Sequence, residues 1–133
     1  MAVDSREGVF AVAELQLGMI EARFAGIIWD HEPVTTKELV ALCREELNWK
    51  RTTTYTVLKK LCDRGIFVTK DSVVTSRISR DEFYAIRSEQ FVAEHFEGSL
   101  PAFLAAFTTR KAPTREELAE LQKLIDSFGG TQK

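Results

Sequence analysis

The sequence predicts a mostly α-helical α+β chain, in which three helices and one β-hairpin are followed by three further helices. Three observations carry that reading. Apolar residues recur at helical three- and four-residue spacing over most of the chain, as on one face of a helix. The helix-start signal of a hydroxyl residue with Glu three positions later occurs at Thr35/Glu38, Ser79/Glu82 and Thr114/Glu117. One stretch alone, residues 66–78, changes texture to β-branched and aromatic residues.

Ile20, Phe24, Ile27 and Ile28 place a first core helix over residues 19–29, and Pro33 prevents its continuation. Thr35 opens a second helix carrying Leu39, Leu42, Cys43 and Leu47. A third, over residues 50–64, turns Val57, Leu58, Leu61 and Cys62 inward and a polar, basic face outward, with Gly65 as its left-handed stop. The hairpin follows, with Lys70-Asp71-Ser72 as its turn. A fourth helix over residues 80–96 ends at Gly98, Ser99 and Pro101 start a fifth, and Thr114 caps a sixth that should end at Gly129-Gly130.

Three helices followed by a hairpin is the order of a winged helix-turn-helix domain, assigned to residues 1–79. Residues 80–128 form a helical segment and 129–133 a disordered tail, as are the first several residues. The helical segment has apolar faces but little partner surface of its own. Burial against a second copy therefore makes Phe91, Phe96, Phe103, Leu104, Phe107, Leu118, Leu121, Leu124, Ile125 and Phe128 the expected interface of a two-fold homodimer.

With 133 residues, 44% hydrophobic and 29% charged, the chain has an ordinary globular composition. No apolar run spans a bilayer and the N-terminus lacks signal-peptide order, so a cytoplasmic protein without membrane association is expected. Cys43 and Cys62 sit in helical apolar patterns and read as reduced thiols. No nucleophile, phosphate-loop or metal-ligand motif is present, so neither catalysis nor a cofactor or metal is expected. His31 and His95, near helix ends, read as structural or surface residues, and Trp29 and Trp49 as core or hinge aromatics.

The net charge of −2 hides an uneven distribution. Residues 49–80 hold eight Lys/Arg against two Asp, whereas residues 81–133 hold six against nine Asp/Glu. One basic surface in an otherwise acidic chain suits phosphates. The third helix begins Lys50-Arg51-Thr52-Thr53-Thr54-Tyr55-Thr56, and threonine is a poor helix former, not chosen for helix stability. Thr52, Thr53 and Thr56 are candidates for base edges in a major groove. Tyr55, Lys50, Arg51, Lys59 and Lys60, with Lys70 and Arg77 from the hairpin, are candidates for phosphates. A homodimeric repressor on inverted-repeat double-stranded DNA is the leading expectation. A winged-helix protein-interaction module and a small-molecule-responsive regulator are the alternatives.

The run EARFAGIIWDHEPVTTKELVALCREELNWKRTTTYTVLKKLCDRGIF resembles the first domain of the penicillinase repressor family, which shows an apolar helix ending in Trp, a Thr-rich start to the second helix and a T-x-x-T-x-L recognition helix ending K/R-G. The link SRDEF and the later helices are also similar, so the resemblance covers residues 17–128. It implies a dimeric repressor of a β-lactam-resistance or transport-type operon, with Thr53, Thr56 and Lys59 on DNA. Two departures qualify it. The β-lactam-responsive members are cut by a sensor protease at an Asn-Phe bond, matched here by Ala106-Phe107. The copper-responsive members carry C-terminal cysteine pairs, and no cysteine follows Cys62.

Overall fold

The computed structural model describes residues 16–131, so the expectations of disorder for the first several residues and for Gln132 and Lys133 fall outside the described residues. Six helices and a three-stranded antiparallel sheet are described: α1 (Met19–His31), β1 (Val34–Thr35), α2 (Thr36–Leu47), α3 (Arg51–Asp63), β2 (Phe67–Lys70), β3 (Val73–Ser76), α4 (Arg80–His95), α5 (Leu100–Arg110) and α6 (Arg115–Thr131). The chain divides into two compact units between Gln90 and Phe91, inside α4.

Local chemistry explains the first unit's elements. Thr35 Oγ1 accepts from the Glu38 amide while Glu38 accepts from the Thr35 amide, each at 3.0 Å, so two orphan donors at the start of α2 are satisfied reciprocally. At the other end Asn48 takes φ 57°, and the Asn48 and Trp49 amides close onto the Arg44 and Cys43 carbonyls. The chain thereby turns within Asn48-Trp49-Lys50 and α3 begins at Arg51. Gly65, at φ 86°, ends α3: its amide bonds to the Cys62 carbonyl and that of Ile66 to Leu61, the double closure that a left-handed glycine permits.

The hairpin joins Lys70 to Val73 through Asp71 and Ser72, both at positive φ (54° and 64°), a two-residue turn whose twist matches the strands. Lys70 is thus the last strand residue and not part of the turn. β1, two residues long, pairs with β3 and was hidden in the sequence behind the capping signal that follows it. Glu32 fastens the end of α1 to this sheet, its carboxylate accepting from the Ser76 amide at 2.7 Å and hydroxyl at 2.9 Å.

The core of the unit joins Phe24 and Ile28 of α1, Leu39 and Cys43 of α2, Leu58 and Leu61 of α3 and Ile66, Phe67, Val74 and Ile78 around the sheet. Trp49 packs on Phe24 at 5.3 Å between centroids. Trp29 donates its indole N–H to the Ile78 carbonyl and lies 5.4 Å from both Phe67 and Phe83, so both tryptophans, partly buried, pack against the core at helix ends. Arg80 crosses the Trp29 ring and reaches Asp30 at 2.7 Å. Ile20 departs from the sequence pattern: one turn before the core begins, it is 47% exposed.

In the second unit Ser99 caps α5 through the Ala102 amide, and Thr114 and Glu117 form the expected reciprocal box before α6. Helix α6 continues through Gly129 and Gly130 to Thr131, past the glycine pair expected to stop it. Glycine in a helix costs only about 1 kcal/mol relative to alanine, so the pair does not by itself end the helix.

Candidate nucleic-acid interface

Helix α3 advances by 100° per residue, so its inward positions fix its outward ones. Thr54, Leu58 and Leu61 are buried. Opposite them lie Thr52, Thr56 and Lys59, spaced i, i+4 and i+7 and all exposed. The three consecutive threonines therefore separate: Thr52 faces solvent, Thr53 is half-buried, and Thr54 is 1% exposed with its hydroxyl donated to the Lys50 carbonyl at 3.3 Å. Lys50, Arg51 and Tyr55 are exposed at the helix start, where the Arg51 guanidinium sits 5.5 Å from the Tyr55 ring centroid.

That start is unusual in its chemistry. Lys50 provides no side-chain cap and the first turn holds no acidic residue. The free amides and the positive end of the helix dipole are thus left uncompensated beside two cations, an arrangement favouring an anion.

The two lysines further along differ. Lys59 makes an exposed pair with Asp63 one turn on, at 2.9 Å, weak enough for a phosphate to displace. Lys60 is drawn toward α1, its ammonium 3.0 Å from Glu21, which Arg64 also approaches at 3.5 Å. Partial burial opposes charge on Glu21, but the Lys60 hydrogen bond, the Gly18 amide and the two nearby cations prevail and hold its carboxyl below the usual range. Glu21→Gln should release Lys60, a candidate for phosphates, strengthening binding to any duplex and steepening its salt dependence by about one unit. Because the folded-state carboxyl is depressed, its contribution to stability is present above the ordinary value of 4.5 and is lost as pH falls through the folded value. Chemical denaturation should show wild type exceeding Glu21→Gln by at most about 1 kcal/mol at neutral pH, with the two converging in acid.

The hairpin stands beside α3, and a groove of about 380 Å³ runs between them, lined by Tyr55 and Lys59 on one side and Val68, Thr69 and Arg77 on the other. Arg77 is thus brought beside Tyr55 and Lys59 of α3, whereas Lys70, exposed at the hairpin tip, does not line the groove. Thr36, Val68 and Thr69 also border it, and the sequence reading did not single them out. Val68 and Thr69 carry no charge or spacing signal and become visible only once the strand register is known. His31 bonds the Ile27 carbonyl at 2.8 Å and His95 lies against Phe91 at 4.6 Å, both in structural settings. No group of three metal-ligating side chains occurs among the described residues.

In the second unit Phe91, Phe96, Phe103 and Phe107 form a chain of ring contacts at 5.6 to 6.3 Å. Phe91, Phe107, Leu118, Leu124, Ile125 and Phe128 are nevertheless exposed, as is Leu100, while Phe96, Phe103, Leu104 and Leu121 are half-buried. An apolar groove of about 460 Å³ lies between α5 and α6 over Leu104, Phe107, Leu121 and Leu124. The apolar side chains of α6 recur at 118, 121, 124, 125 and 128, one stripe of a helix.

A three-helix core, a tight left-handed turn into an outward-facing third helix and a hairpin flanking that helix define a winged helix-turn-helix protein. The sequence model of the penicillinase repressor family matches residues 17–127, and the chain belongs to that family. It is 21% identical over 122 residues to the penicillinase repressor of Bacillus licheniformis, an alignment covering 89% of this chain and 95% of that one. No described helix is long and apolar enough to cross a membrane.

Proposed function

We propose that the protein is a homodimeric transcriptional repressor that reads an inverted-repeat operator with α3 of each subunit. Membership of the family supports repression. The observation that carries the DNA-contact assignment is the face formed by Thr52, Thr56 and Lys59, exposed beside an uncapped, acid-free helix start and flanked by Arg77. Thr52 and Thr56 reach base edges, with half-buried Thr53 at the margin of that readout. Lys50, Arg51, Tyr55, Lys59 and Arg77 hold phosphates, Lys70 at the hairpin tip reaches the backbone beyond them, and Lys60 joins once drawn from Glu21. The exposed apolar side chains of the second unit pair the subunits, so that both recognition helices meet one duplex.

The regulated operon is of the β-lactam-resistance or transport type. A sensor protease acting at Ala106-Phe107 is not part of the proposal, because that pair lacks the asparagine and lies within α5.

Salt titration separates the two kinds of contact. Lys59→Ala should weaken specific and random duplexes alike and lower the slope of log affinity against log salt by about one unit. Thr56→Ala should keep the slope and lose about 1–3 kcal/mol of preference for the selected sequence. Equal losses on both duplexes for Thr56→Ala would remove it from the readout.

A further inference from the structure

We infer that the groove between α3 and the hairpin binds a small aromatic carboxylate whose presence excludes DNA; the exclusion rests on the DNA-binding reading above. The groove, about 380 Å³, lies in the size class of small-molecule sites. Its floor is Leu58, Phe67 and Val68, with the Tyr55 ring as a wall and Lys59 and Arg77 as its charged lining residues. Two cations without a carboxylate select an anion. Arg77 has no acidic partner among the described residues, and Lys59 is held only by its exposed pair with Asp63. The Cys62 thiol also lines the groove; burial pushes its pKa up, so the sulfur stays neutral and does not repel an anion.

A DNA phosphate explains the cations but not the floor. The sugar-phosphate backbone is strongly hydrated: it meets the Tyr55 hydroxyl but leaves Val68, 39% exposed, in water and the Tyr55 ring unstacked. A flat aromatic ring covers that floor and stacks on Tyr55, while its carboxylate reaches Arg77 and Lys59. Because Tyr55, Lys59 and Arg77 also belong to the proposed DNA face, ligand and duplex cannot occupy them together.

The test uses the full chain with 1-naphthoate as probe and 1-naphthalenemethanol and 1-naphthylmethylamine as its neutral and cationic counterparts. Naphthoate should give saturable amide shifts at Tyr55, Lys59, Val68, Thr69 and Arg77, and the amine none. Arg77→Gln should weaken it about tenfold, the loss of one charge-assisted hydrogen bond. Val68→Thr, which keeps the β-branched shape, should weaken it several-fold while leaving DNA affinity unchanged. Each naphthoate-bound groove should raise the apparent Kd for duplex DNA by about tenfold when the ligand stands at roughly nine times its own Kd. Absence of shifts at the groove, or equal binding of the amine, overturns the site. Binding at the groove with DNA still retained overturns the exclusion. Shifts at the groove in a protein that ignores duplex DNA at low ionic strength overturn the operator reading and the exclusion with it, leaving the ligand site supported.

Discussion

Carrying Leu118→Asp together with Ile125→Asp, the protein is expected to sediment as a monomer and to lose about a thousandfold or more in operator affinity. The two positions stand seven apart on α6, so they share one face, and they are 53% and 57% exposed. No residue of α6 from Arg115 to Gly129 is buried. The unpartnered subunit therefore sacrifices little packing at these positions, and its helical circular dichroism should be unchanged. Burial of each such side chain against a partner contributes about 1 kcal/mol, and a carboxylate in its place brings a charge into an apolar interface. Loss of the dimer removes the second half-site, so affinity falls toward the non-specific level, which lies at least about a thousandfold below specific binding. Sedimentation and fluorescence anisotropy check both parts; a doubly substituted chain that stays dimeric would place the interface elsewhere.

The second large effect is on folding. Phe24→Ala is expected to destabilise the first unit by about 3–5 kcal/mol, read as a lower denaturation midpoint in urea. Phe24 is wholly buried in α1 and meets Trp49, which closes the turn leading into α3. The truncation leaves a cavity between α1 and that turn, and small domains hold only about 5–15 kcal/mol in total. DNA binding should fall with the folded fraction and recover when a stabilising osmolyte restores it. A loss below about 1 kcal/mol would contradict the packing described.

Much of this architecture is legible in the residues because its signals are local. Thr35/Glu38 and Thr114/Glu117 announce helix starts by chemistry between residues only three positions apart, and both boxes form. Gly65 announces the end of α3 because a left-handed residue without a side chain relieves strain there. What the sequence conceals depends on partners distant in the chain. β1 exists only because Val34 and Thr35 find Val74 and Val73 across the sheet. Thr54 looks like its neighbours Thr52 and Thr53, but the wheel carries it into the core. Lys60 reads as a free cation until folding brings Glu21 to within 3.0 Å. Likewise the uncharged groove residues Val68 and Thr69 acquire a role only from the hairpin's position beside α3.

The most direct measurement of the central claim is selection of bound sites from a library of random duplexes. The account predicts enrichment of an inverted repeat whose half-site centres lie about one helical turn, or a whole multiple, apart, with two subunits per duplex. Enrichment of sequences without two-fold symmetry, or none at low ionic strength, would contradict it.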